Sequence, residues 1–158
     1  MSSSAAASLL SASQIAPGKP LPPLPSPEPV SLAGKNIIIG VPEASDAQIL
    51  EYIDEYEAIK AKGIEGIYVV AVNDQAVVNG WKEKLASNST PIHFLADDQG
   101  KFTSATGLIF DATPSPRSKR YVMIVKNNHV ASLAVEDDPS KVTVTSAKMI
   151  LTALSFMF

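Results

Sequence analysis

The chain of 158 residues contains no cysteine. That absence removes disulfides, thiolate nucleophiles, cysteine-ligated zinc, iron–sulfur clusters and thiol redox cycling, and it leaves the redox compartment unreadable. Histidine is nearly as scarce: His93 and His129 are the whole supply. Two are too few for a multi-histidine cage, so a metal site would need carboxylates as well, and neither metal catalysis nor a cofactor is expected. Cationic charge is short, with 13 Lys and Arg against 16 Asp and Glu for a net charge of −3. That balance offers no basic stripe to a phosphate backbone and argues against nucleic acid as a partner. No apolar run approaches the ~18–20 residues needed to cross a bilayer, which argues against a membrane span. No basic residue precedes Lys19, which argues against a secretory or mitochondrial leader, and the cytoplasm is the default expectation.

Proline, by contrast, is concentrated. Seven of the twelve fall at positions 17, 20, 22, 23, 25, 27 and 29, after a Ser/Ala-rich start. Such a segment lacks ladder donors and favours the extended polyproline II helix, so residues 1–34 read as an arm that lies on the domain or trails from it. A proline-rich ligand for an SH3-like partner is one further reading of it. Residues 35–158 read as the folded unit, a length that suits one domain with a single sizeable core.

Within that unit apolar runs alternate with helical periodicity. Asn36 to Val41 is short and β-branched, as in a strand buried on both faces. Ser45 and Gln48 have the spacing of a capping box, Ile49, Ile53, Tyr56 and Ile59 recur at helical intervals, and Gly63 suits the position just past a helix end. Gly66 to Val72 is a second buried strand, which makes a right-handed βαβ unit. Asn73 or Asp74 caps a second helix carrying Val77, Trp81 and Leu85. Pro91 to Ala96 is a third strand, and a short helix through Phe102 stops at Gly107. Tyr121 to Val135 forms a hairpin turning on Asn127-Asn128, residues that tolerate positive φ, and Thr145 to Leu154 a last helix. This order predicts an α/β, thioredoxin-like three-layer fold: a mixed sheet with helices on both faces.

Here the residues resemble a family. The segments "GKNIIIGVP", "KAKGIEGIYVVAVND", "FLADDQGKFTSATGL" and "RSKRYVMIVKNNHV", together with Trp81, are similar in order and spacing to peroxiredoxins of the type-5 branch over Gly34 to Leu154. That resemblance implies a peroxidase reducing hydrogen peroxide and alkyl hydroperoxides, a homodimer, and a thiol reductant such as thioredoxin or glutaredoxin. It also implies a catalytic Pro-x-x-x-Thr-x-x-Cys motif at a strand-to-helix junction, assisted by an arginine from the hairpin strand. A helix N-terminus and a guanidinium lower the thiol pKa and stabilise charge as the O–O bond breaks.

On this chain Pro42 matches a motif proline and Arg120 the arginine, while the threonine and the cysteine are missing. Aligning "QILEYI" with the family helix puts Ala44 at the cysteine's place, beside a shortened junction; sliding the gap by one residue puts Ser45 there. Alanine has no reactive atom, and a serine hydroxyl is barely ionised at neutral pH and has no sulfenate-like state. The chain is therefore expected to be inactive as a peroxidase and its reductant unusable. A non-catalytic thioredoxin-like binding or dimerisation module is the alternative, with an incomplete splice or gene product a third reading. Ser45 also reads simply as a helix cap. Arg120 reads either as a guanidinium facing the former active site or as a strand arginine pairing with a surface carboxylate. Arg117 and Lys119 read as solvated, Trp81 and Phe102 as core, and Asp137-Asp138 as a turn.

Overall fold

The computed structural model describes residues 13–42, 46–86, 90–111 and 115–157. Its centre is strand β1 (Lys35–Val41), whose isoleucines and valine are fully buried. Because side chains alternate across a strand, Ile37, Ile39 and Val41 enter one core and Ile38 the other. Around β1 lie β2 (Ile64–Ala71), β3 (His93–Ala96), β6 (Tyr121–Lys126) and β7 (His129–Val135), in the order β3-β2-β1-β6-β7. The first three strands are parallel, and β6 and β7 run antiparallel on the other side. This is the mixed sheet that the sequence predicts.

One face of the sheet is covered by helices. The helix after β1 breaks at Glu55 into α1 (Asp46–Asp54) and α2 (Tyr56–Ala61), a division the continuous periodicity of Ile49, Ile53, Tyr56 and Ile59 does not reveal. Gly63, at φ +91°, ends α2 as expected, with Lys62 and Gly63 donating to the carbonyls of Ile59 and Lys60. Helix α3 (Gln75–Ala86) starts where the Asp74 carboxylate accepts the Val77 amide at 2.8 Å. Val78, not the expected Val77, faces the core beside Trp81 and Leu85, and Val77 lies outside. The last helix, α5 (Ala147–Met157), buries Ala147, Ile150 and Leu154 against the same face.

The opposite face carries the short α4 (Lys101–Ala105) and the arm. Asp97 organises α4, accepting from the amides of Phe102 and Thr103 and from the Thr103 hydroxyl. Residues 13–34 lie along this face with Leu21 and Leu32 buried. Gly18 donates to the Val130 carbonyl, Val130 to that of Lys19, and Leu21 to that of Asn128. Asn127 and Asn128 turn the hairpin at φ +49° and +66°. A small second sheet, β4 (Ile109–Phe110) with β5 (Arg117–Ser118), is a feature without a sequence signal, since two-residue strands show no periodicity.

Gly40 lies opposite Tyr121 across the β1–β6 ladder, and a methyl group there would overlap the Tyr121 ring. The ring is fully buried and has nowhere to withdraw. Gly40→Ala is expected to cost about 2–3 kcal/mol, read as a lower urea midpoint at unchanged slope; a midpoint within error of the parent would show that the ring yields.

Candidate functional site

In an open α/β sheet, ligands gather beyond the carboxyl ends of the parallel strands. Here that position follows β1. Pro42 is buried there, and its carbonyl accepts a hydrogen bond from Arg117 Nη1 at 3.0 Å. Ala44 and Ser45, the two positions considered for the family cysteine, lie outside the described residues, so the capping role of Ser45 does too. Gln48 does not complete a capping box: it is buried and both ends of its carboxamide are engaged far from the helix start.

Those engagements lead to Arg120. Strand β6 begins one residue later, and Arg120 is 3% exposed, the one buried cationic residue among the described residues. Its Nη1 donates to Gln48 Oε1 at 2.6 Å and its Nε to the Pro139 carbonyl at 2.8 Å. Gln48 Nε2 donates to the Thr145 carbonyl, which also receives the Tyr52 hydroxyl at 2.8 Å. Burial, reinforced by the Glu51 charge, raises the Tyr52 pKa well above its ordinary value, so the phenol stays a neutral donor.

The segment after β7 is held by a second buried group. The Glu136 amide donates to the Arg120 carbonyl, and the Glu136 carboxylate accepts from the amide and hydroxyl of both Thr143 and Thr145. Burial alone would raise its pKa, but four hydrogen bonds to the ionised form outweigh burial and lower it. Asp138 holds the turn as expected, accepting from the Ser140 amide and hydroxyl. Arg120, Gln48, Tyr52, Thr145 and Glu136 thus fasten the hairpin, α1 and the approach to α5 to one another.

Arg117, expected in solvent, is half-buried beside Pro42 because β5 pairs with β4 and turns it there. It lines a cavity of about 310 Å³ with Pro42, Phe110, Asp138, Pro139 and Ser140, and Arg120 is not among the lining residues. Phe102 is buried, and Trp81 packs at the core edge. His93 is stacked on Tyr68 with ring centres 4.8 Å apart; partial burial and the Lys82 charge lower its pKa. His129 is exposed, with Nδ1 3.0 Å from the Asn127 carbonyl oxygen.

The redoxin family profile matches residues 31–151. The chain belongs to the redoxin family. Peroxisomal membrane associated protein 20 of Schizosaccharomyces pombe is 41% identical over 129 residues, covering 77% of this chain and 83% of that protein. The mitochondrial peroxiredoxin-2F of Arabidopsis thaliana is 37% identical over 127 residues, 75% of this chain and 63% of that one. The reduced Prx3 of Vibrio vulnificus superposes with a TM-score of 0.79 at 34% identity, covering 90% of this chain and 99% of the other. Peroxiredoxin 5 of Alvinella pompejana gives 0.78 at 28% identity, with 90% and 99% covered. The protein is a peroxiredoxin of the type-5 branch with a thioredoxin-like fold that lacks the peroxidatic cysteine.

Two outcomes test the buried network. Gln48→Met removes the acceptor of a buried guanidinium and is expected to cost about 2–4 kcal/mol in denaturant unfolding; a loss below about 1 kcal/mol would show that Arg120 needs no such partner. Glu136, with its folded pKa lowered, stabilises fully above the ordinary glutamate pKa of about 4.3 and loses that contribution as the pH falls through the folded value. Between about pH 5 and pH 3 the melting temperature of the parent should therefore fall more steeply than that of Glu136→Gln; parallel curves would contradict this.

Proposed function

We propose that this chain is a peroxiredoxin-type scaffold without peroxidase activity, whose surviving role is that of a non-catalytic thioredoxin-like module. The observation that carries the reading is the absence of cysteine from the whole sequence: peroxide reduction by the family route transfers oxygen to a thiolate, and no thiolate exists to accept it. With no sulfenic acid or disulfide formed, thioredoxin or glutaredoxin has nothing here to reduce. Pro42 and Arg120 keep the positions of the family's proline and arginine, with Ala44 at the place of the cysteine.

The state of Arg120 supports the same reading. Both Nε and Nη1 are committed to Pro139 and Gln48, so the guanidinium acts as an internal clamp. If the module binds a small anion, Arg117 is the better placed cation, since it lines the cavity beside Pro42. Pairing with a second copy remains part of the proposal as a family trait. Relatives are named for the peroxisomal membrane and for the mitochondrion, so likeness gives no support for the cytoplasm over other compartments.

The test is hydroperoxide consumption with dithiothreitol or thioredoxin as reductant. The parent is expected to consume hydrogen peroxide no faster than buffer, while a version with the family loop and cysteine inserted after Pro42 gains turnover. Turnover by the parent would overturn the proposal.

A further inference from the structure

The arm carries a motif that the redoxin fold does not use. Residues 19–25 read Lys-Pro-Leu-Pro-Pro-Leu-Pro: a basic residue, then two aliphatic-proline pairs, Leu21-Pro22 and Leu24-Pro25, one polyproline turn apart. A polyproline II helix has three residues per turn and therefore three edges. Leu21 and Leu24 form one edge, Pro22 and Pro25 the second, and Pro20 and Pro23 the third. SH3-type domains take such a helix in an aromatic-lined groove, gripping two edges and leaving one in water.

The chain's own sheet grips it in the same manner. Leu21 is 5% exposed, and Pro22, Leu24 and Pro25 are half-buried, while Pro20 and Pro23 point to solvent. Leu21 enters the core beside Ile38, Phe102 and Met123, and Leu24 packs against that cluster. The run ends at Pro25, where the Ser26 amide donates back to the Leu24 carbonyl at 2.9 Å. The two edges a partner would read are thus the two that the domain covers, and Lys19, which would meet an acidic rim, stays exposed.

The hold is uneven. Backbone hydrogen bonds fix the arm at Ile15, Gly18, Lys19 and Leu21, but among the described residues none joins 22–32 to the rest of the chain. Open clefts border the segment, one against α4 and one against the hairpin turn, so its flanks are reachable from solvent. The first half of the motif, Lys19 to Leu21, is thus held by backbone hydrogen bonds and burial, while Pro22 to Pro25 is held by side-chain packing alone, so a competing groove can engage the second half first and must break the Leu21 and Val130 bonds to take the whole.

We propose that residues 19–25 are a ligand for an SH3-type proline-reading domain with an acidic rim, masked by docking on the chain's own sheet. Binding and docking compete for the same two edges. The test is calorimetric titration of a purified SH3 domain that prefers a basic residue ahead of its first proline. Three ligands are compared: a synthetic peptide of residues 17–27, the full chain, and the full chain carrying Ile15→Ser and Leu32→Ala, which loosen the anchors outside the motif. The peptide is expected to bind, the full chain at least ten-fold more weakly, and the loosened chain close to the peptide, with Pro22→Ala plus Pro25→Ala abolishing binding in the peptide. In the unmodified chain, saturating SH3 domain should also speed amide exchange at Gly18, Leu21 and Val130, a readout that needs no variant. A peptide that does not bind would overturn the assignment of the ligand. Equal affinity of peptide and full chain, or binding with those amides still protected, would overturn the masking.

Discussion

Everything in this protein hangs on the burial of one strand from both sides. β1 has parallel β2 on one flank and antiparallel β6 on the other, and like both neighbours it sends alternate side chains into the helical core and the arm-side core. A strand so placed satisfies all of its backbone groups through neighbours, and it leaves no room for a side chain where the Tyr121 ring crosses it at Gly40. Pro42 at its end, with Arg117 donating to the Pro42 carbonyl, takes its place from that packing.

The elements that the sequence made legible are those whose signal is periodic and whose length exceeds one turn or a few strand residues. β1, β2, α3, the Asn-Asn hairpin and α5 were readable because burial on one or two faces writes a repeat into the chain. The misses have physical reasons. The break at Glu55 preserves the hydrophobic stripe, with Ile59 still donating to Glu55, so nothing in the pattern marks it. Val77 and Val78 both have helical spacing to Trp81 and Leu85, so the pattern alone does not say which valine turns inward.

The site was legible in its types but not in its connections. That Arg120 would matter followed from the family pattern; that its partners would be a glutamine 72 positions away and a loop carbonyl did not. Gln48 had a local explanation, and only long-range folding shows it spent elsewhere. Arg117 was moved out of solvent by a two-residue pairing too short to predict. Glu136 had no local signal: Thr143 and Thr145 bring their hydroxyls to it through a turn, and nothing near them in sequence says that a carboxylate waits there. Arg120 acts as a fastener in this fold, because a buried guanidinium demands acceptors whether or not a reaction takes place beside it.

The bridge between Pro20 and His129 gives the arm a further consequence. β7 is the last strand of the sheet, and a bare outer strand is a template onto which other chains can add. By pairing its own residues 18 and 19 with both backbone groups of Val130, and Leu21 with the Asn128 carbonyl, the chain closes the start of that template, and the pairing ends where β7 turns back into the hairpin. The arm therefore occupies backbone groups through which a second chain could otherwise add. Whatever draws it from the sheet leaves an adhesive border uncovered, so its release carries a solubility penalty that a merely decorative extension would not.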